Sequence, residues 1–257
     1  MLKFRNNNII FILLLAALIG YDIYYGLPFY VYIIAGIVYS LILFRGSYYV
    51  GSNFYFNIIC SAKTDKKQIA ISFDDGPVHE CTPRILELLK EHNVPAAFFC
   101  IGKRVAGNES LFKEVHEAGH IIGNHSYSHH TWFDLFSADK MYDDLQMMDE
   151  AMQKVIGLKP KLFRPPYGVT NPNLKKAVIK GNYIPVGWNI RSLDTVISDE
   201  QKLLTKVTKA LKPGAVVLFH DTGKAIPAVL PAFIKQAREK GYEIVRLDKL
   251  LKLEPYA

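Results

Sequence analysis

From Gln68 onward the chain repeats one unit: a short apolar run of strand length, then a longer stretch whose apolar residues recur at helical spacing. Strands separated by such helices pair in parallel, each helix crossing back over the sheet, so the pattern excludes most other folds. IAISF, AAFFCIG, HIIGNH, KLFRPP, YIPVGWNI, GAVVLFH and YEIVRL read as strands. TPRILELLKEH, LFKEVHEAG, SADKMYDDLQMMDEAMQKVIG, NPNLKKAVIKG, SDEQKLLTKVTKAL and AIPAVLPAFIKQAREKG read as helices. The punctuation agrees: Thr82 as N-cap with Pro83 in the first turn, Gly119 as a stop, Asn171-Pro172 as a start, Gly181 as a stop, and a capping box from Ser198 to Gln201. The expected class is α/β with parallel strands, and this many strands favour a barrel over an open sheet.

Half of the 257 residues are hydrophobic, and the surplus lies at the N-terminus. IIFILLLAALIG and then LPFYVYIIAGIVYSLILF precede Arg45, with tyrosines crowded at their junction as at a membrane interface. The second run is long enough to span a bilayer; the first is a short span or a signal-peptide core, with no convincing small-x-small cleavage site after it. The expected organisation is a membrane anchor over 1–50 with one or two spans, about 9–25 and 27–44, a linker over 51–66, a domain over 67–250 and a tail over 251–257. Lys3, Arg5, Arg45, Lys63, Lys66 and Lys67 argue for the cytoplasmic side on either flank of two spans.

The net charge of +7 comes without a dense Lys/Arg block, so no nucleic acid is expected, and nothing marks a protein partner. Cys60, Cys81 and Cys100 lack CxxC spacing, which argues against a zinc ribbon or a disulfide scaffold.

HEAGHIIGNHSYSHH, residues 116–130, holds five of the eight histidines, four of them in two four-apart pairs. His116 and His120 fit the HExxH letters of zinc proteases, but that motif requires one continuous helix. Gly119 falls inside it, where a helix ends, and Ser126 stands where the extended motif needs a third histidine. His125 and His129 instead follow a strand at its C-terminal end, where α/β folds place their sites. Other strand ends carry Asp74-Asp75-Gly76, Arg164-Pro165-Pro166-Tyr167-Gly168, Asp194 and His220-Asp221. Each alone is a turn, a surface charge or a cap; their joint occurrence at one rim points to a site. Two histidines and one carboxylate form a common ligand set for a catalytic divalent metal. A second carboxylate beside it can take a proton, and His220 can give one.

SFDDGP, GHIIGNHSYSH, FRPPYG, the SLD segment and LFHD, in that order, resemble the five motifs of NodB-type polysaccharide deacetylases, carbohydrate esterase family four. The resemblance covers about residues 67–250. It implies a distorted (β/α) barrel preceded by N-terminal transmembrane segments. It also implies removal of N-acetyl groups from N-acetylglucosamine-containing glycans, peptidoglycan or chitin-like, with zinc or another divalent cation. By position it implies Asp75, His125 and His129 as metal ligands and Asp74 as catalytic base tuned by Arg164. Asp194 would orient His220, which would protonate the departing amine. The Tyr167 backbone N–H would help hold the oxyanion, and Leu218 would line the acetyl pocket.

One departure is Thr195, where the family motif usually carries tryptophan. The missing indole leaves room for a same-fold hydrolase of a small non-sugar amide. An inactive membrane-anchored glycan-binding protein and the HExxH protease are further alternatives. The expected partners are the glycan and, through the anchor, membrane lipid. A cell-wall substrate places the domain outside the cytoplasm, against the charge count above.

Overall fold

The computed structural model describes residues 3–257. It opens with two helices, α1 (Phe4–Tyr25) and α2 (Tyr30–Tyr48), joined by a short turn into a hairpin. Both are long and apolar enough to cross a membrane, and only Asn7 and Gly46 within them are buried.

The rest alternates as the pattern predicts: β1 (Gln68–Asp74), α3 (Thr82–Glu91), β2 (Ala96–Cys100), α4 (Glu109–Glu117), β3 (Ile121–Asn124), α5 (Ala138–Ile156), β4 (Leu162–Phe163), α6 (Pro172–Lys180), β5 (Ile184–Pro185), β6 (Ile190–Arg191), α7 (Glu200–Lys209), β7 (Val216–His220), α8 (Ile226–Glu239), β8 (Glu243–Ile244) and α9 (Leu247–Leu251). All pairings are parallel, in the order β5-β4-β3-β2-β1-β7-β6, with β8 on the start of β1. The curled sheet has helices outside and side chains filling its lumen. Period-two alternation sorts them. Ile69, Ile71 and Phe73 of β1 join the layer under the helices, whereas Ala70 joins the lumen with Ala97, Phe99, Ile121, Leu162, Val186 and Val216. Leu247 and Leu250 of α9 plug the lumen's lower end.

The curl is not closed by its own strands. YIPVGWNI, read as one strand, is broken at Gly187-Trp188 into β5 and β6. The cause is Arg164, which donates to the carbonyls of Val186 at 3.2 Å and Gly187 at 3.1 Å, so those carbonyls do not serve a ladder. The gap is covered by the stretch that precedes β1. Ile59 bridges Val186 in parallel and Ser61 bridges Ala215 in antiparallel. Val50, Phe54 and Ile58 are each about 95% buried. Residues 50–61 therefore form part of the barrel wall and do not behave as a free linker.

Two caps shift by one residue. Asp199, not Ser198, caps α7 by accepting from Lys202 N at 2.8 Å; a carboxylate is the stronger acceptor at the positive end of a helix. Thr82 lies inside α3, with Cys81 at the N-cap. Its hydroxyl turns inward to accept from Val78 N and donate to Asp221.

Candidate active site

Parallel register brings the strand ends to one rim. Asp74 pairs with His220 across β1 and β7 and with Phe99 across β1 and β2; Cys100 pairs with Asn124, just before His125. Asp75, Ser126, His129 and Tyr167 all take positive φ, at 82°, 65°, 44° and 58°. Non-glycine residues enter that region at a cost, and such strain concentrates at functional sites.

Asp75, His125 and His129 converge, their ligand atoms all within 4.8 Å of one another. Asp75 Oδ1 lies 3.6 Å from His125 Nε2 and 3.5 Å from His129 Nε2. Donors about 2.0–2.2 Å from one tetrahedral ion would be spaced about 3.4 Å apart, so the set fits a single divalent cation. The tautomer fits as well. His125 Nδ1 lies 2.8 Å from the Arg164 carbonyl, which can only accept, so Nδ1 carries the proton and Nε2 presents its lone pair to the cluster. Burial pulls the His125 pKa down to about 3, assisted by the charge of His129, so the ring is neutral at physiological pH. Burial lowers His129 too, against the opposing pull of Asp75.

Asp74 faces a different environment. It is buried, and Arg164 Nη1 donates to its Oδ1 at 2.6 Å. Burial raises the carboxyl, and Arg164 and His220 offset part of that rise; the net direction is up. Asp74 Oδ2 lies 3.9 Å from His125 Nε2, so the second carboxylate stands beside the cluster without joining it. Arg164 is fully buried in the lumen, its guanidinium 3.9 Å over the Phe99 ring, with a further bond to Ser72 Oγ at 2.9 Å.

His220 rises from the end of β7. Its Nδ1 donates to Asp194 Oδ1 at 2.8 Å, and its backbone N–H donates to Asp194 Oδ2 at 2.7 Å. Burial pulls the imidazole pKa down, but the Asp194 carboxylate more than offsets it and the net shift is upward. Leu218 is buried two residues before His220, on the same face of β7. The Tyr167 ring packs 4.6 Å from His129 and is 45% exposed.

His116 and His120 lie elsewhere. His116 is in the last turn of α4 and packs on Tyr256, while His120 sits under β2, accepting from Ala96 N at 3.2 Å. Thr195 is exposed, whereas Trp188, in the β5–β6 break, sits against Gly168: a Cβ added there would meet the indole at 2.6 Å. An indole therefore does stand beside the FRPPYG loop, supplied by another segment.

Three supporting residues escaped the sequence reading. Arg104 donates to the Asp75 carbonyl at 2.7 Å. Asp144 accepts the N–H groups of Tyr127 and Ser128 and so holds the HSYSH loop. Asp149 accepts from Asn124, next to His125. The two aspartates had a signal: they share the buried face of α5 with Met141, Leu145, Met148 and Met152.

Fold and site together define a parallel α/β barrel carrying a two-histidine, one-carboxylate centre with an arginine-paired carboxylate beside it. The family model for polysaccharide deacetylase matches residues 61–185. A peptidoglycan-N-acetylglucosamine deacetylase of Bacillus cereus is 33% identical over 194 residues, covering 74% of this chain and 70% of its own length. The peptidoglycan-N-acetylmuramic acid deacetylase of Bacillus subtilis is 31% identical, with 73% of each chain covered. The chain spans 40% of the length of a peptidoglycan-N-acetylglucosamine deacetylase of Listeria monocytogenes, to which it is 35% identical. Among solved structures, a peptidoglycan N-acetylglucosamine deacetylase bound to an N-oxidanyl-benzamide superposes with a TM-score of 0.73 at 30% identity, covering 78% of this chain and 95% of that one. A Bacillus anthracis pseudoenzyme of the same esterase family superposes at 0.70 and 28% identity, covering 76% and 68%. The chain belongs to the polysaccharide deacetylase family.

Proposed function

We propose that this protein is a metal-dependent deacetylase, held at a membrane, that hydrolyses the N-acetyl groups of an N-acetylglucosamine- or N-acetylmuramic-acid-containing glycan, releasing acetate. The observation that carries the reading is the division of labour between adjacent aspartates. Asp75 faces two neutral histidines, while Asp74, one residue back, is bound to a buried arginine. A pseudoenzyme among the structural relatives means that the fold alone does not decide activity. The reading therefore rests on the particular side chains gathered at the rim.

Asp75, His125 and His129 would hold a divalent cation, zinc or another, which when bound would lower the pKa of a water to roughly 7 and polarise the acetyl carbonyl. Asp74 takes the proton from the attacking water, and Arg164 fixes the carboxylate's position. The charge that develops on the carbonyl oxygen is met on one side by the Tyr167 backbone N–H. His220 is held by Asp194 through Nδ1, which leaves Nε2 to protonate the amine; without that proton the amine is a poor leaving group. Leu218, on the His220 side of β7, forms the apolar wall for the acetyl methyl.

The hairpin of α1 and α2 is the anchor. Phe4 N–H donates to Phe54 O at 3.0 Å, so the chain's beginning and its catalytic domain lie at the same end of the hairpin. Both then face the same side of the membrane, the outer one, where peptidoglycan is. A reporter fused after Ala257 should be active outside only; activity restricted to the cytoplasm refutes the sidedness. For the activity itself, acetate release from N-acetylated peptidoglycan fragments should disappear in His220→Ala. Turnover of small non-sugar amides without release from any glycan would move the substrate away from sugars.

A further inference from the structure

Where the hairpin meets the barrel, a cleft of about 1060 Å³ opens between the first turn of α1, residues 53–57 and α6. Four cations line it: Lys3 and Arg5 from the anchor, Lys175 and Lys176 from the catalytic domain. Among the described residues no Asp or Glu lines it; on the same helix Lys180 pairs with Asp139, whose carboxylate also feels the charge of Lys176. Its apolar lining comes from the buried Phe54, from Phe4 and Phe56, and from the exposed Ile179. Like charges from two separate elements repel unless an anion lies between them.

The cleft stands at a particular depth. The exposed apolar surface of α1 begins at Ile9 and Ile10, 50% and 56% accessible. At 1.5 Å rise per residue, Arg5 lies about 6 Å from that boundary, the level of headgroups if the hairpin is in a bilayer. A second, apolar groove of about 410 Å³ runs between α1 and α2, lined by Asn7, Ile10, Phe11 and Leu14 among others. Lys3, Asn7 and Phe11 are four apart, as are Asn6, Ile10 and Leu14, so cleft and groove share one face of α1. Asn7, at the groove's domain end, is 3% exposed, and its Nδ2 has no hydrogen-bond partner. A buried amide N–H without an acceptor is costly, and an ester or phosphate oxygen would satisfy it.

We infer that this junction binds an anionic phospholipid: its phosphate between Lys3, Arg5, Lys175 and Lys176, an oxygen on Asn7, and an acyl chain along the groove. The inference rests on the reading of the hairpin as a membrane anchor and is independent of the chemistry at Asp75. The lipid would act as a strut, fixing how the barrel stands on the bilayer.

The test uses the full chain in nanodiscs of phosphatidylcholine with and without phosphatidylglycerol. Insertion into neutral nanodiscs checks the anchor alone; failure to insert overturns the anchor and this inference with it. In inserted protein, phosphatidylglycerol should raise the thermal midpoint and be retained over phosphatidylcholine in native mass spectra. Lys175→Glu/Lys176→Glu should insert normally but lose that preference by more than about tenfold. Asn7→Leu, which keeps the charges, should weaken retention of the lipid less. A phosphatidylglycerol effect unchanged in the double variant overturns the site. Inorganic phosphate reproducing the full shift in neutral nanodiscs overturns the lipid assignment in favour of a free anion.

Discussion

Arg164 is the residue whose replacement tests most of the architecture at once. It has no solvent exposure and gives hydrogen bonds to Asp74, Ser72, Val186 O and Gly187 O. Removing one partner of a buried ion pair costs about 3–5 kcal/mol. Each carbonyl left without a donor adds about 1–3 kcal/mol. Arg164→Met therefore loses roughly 5–11 kcal/mol, the size of a whole domain's stability. Part of this is recoverable, because Asp74, already raised by burial, can take up a proton. Arg164→Lys keeps the charge near Asp74, but a single ammonium cannot fork to both carbonyls. Its expected loss is about 2–4 kcal/mol, or roughly 5–15 °C in thermal midpoint for a domain of this size. Thermal and denaturant unfolding of both variants measures this. Acidification adds a signed check. In Arg164→Met the folded pKa of Asp74 lies further above its unfolded value, so the deficit relative to wild type should shrink as pH falls towards the unfolded carboxylate range. An Arg164→Lys protein that melts with the wild type would refute the claim that the guanidinium holds the β5–β6 break open.

Three further outcomes follow from other parts of the molecule. His120 is buried, and burial alone takes its pKa from 6.5 to about 4, so stability is intact above pH 6.5 and is lost as pH falls from 6.5 to 4. The loss amounts to about 3 kcal/mol, and His120→Asn, whose Oδ1 can accept from Ala96 N in place of Nδ1, should flatten that slope in unfolding titrations. A chain begun at Ser61 loses Val50, Phe54, Ile58 and Ile59 from the wall and should unfold well below one begun at Gly46; equal melting would make residues 50–60 a passive tether. Asp194→Asn removes the pull that keeps the His220 pKa up against burial, so the alkaline limb of the pH–rate profile should move to lower pH; an unmoved limb would assign the proton donor elsewhere.

What could be read from the chain and what could not divide along physical lines. Asp74, Asp75, His125, His129, Arg164, Asp194 and His220 were legible because each is a costly residue to place after an apolar strand, and all seven lie in the short spans that end strands. The structure brings them to one rim through parallel register. Gly119 was enough to set HEAGH aside, and α4 ends at Glu117, just before it. The broken strand was not legible, because its cause is a side chain 22 residues before Val186 that takes two backbone carbonyls. The wall segment was missed for a related reason: residues 50–61 carry no alternation or helical period, and their burial comes from the gap they cover. Trp188 could be seen as a candidate indole, but its position against Gly168 depends on that same break. Asp144 and Asp149 stood in plain view on the apolar face of α5, where a carboxylate needs a reason.

The central claim is that Asp75, His125 and His129, and not the HEAGH histidines, form a metal centre that runs deacetylation. The measurement that tests it most directly is metal content by mass spectrometry alongside acetate release from N-acetylglucosamine oligomers. Full-length wild type, His125→Ala, His116→Ala and Glu117→Gln would be compared, each with zinc and with a chelator. The account predicts one bound metal and metal-dependent acetate release in wild type, His116→Ala and Glu117→Gln, and loss of both in His125→Ala. Metal retained by His125→Ala but lost by His116→Ala would contradict it.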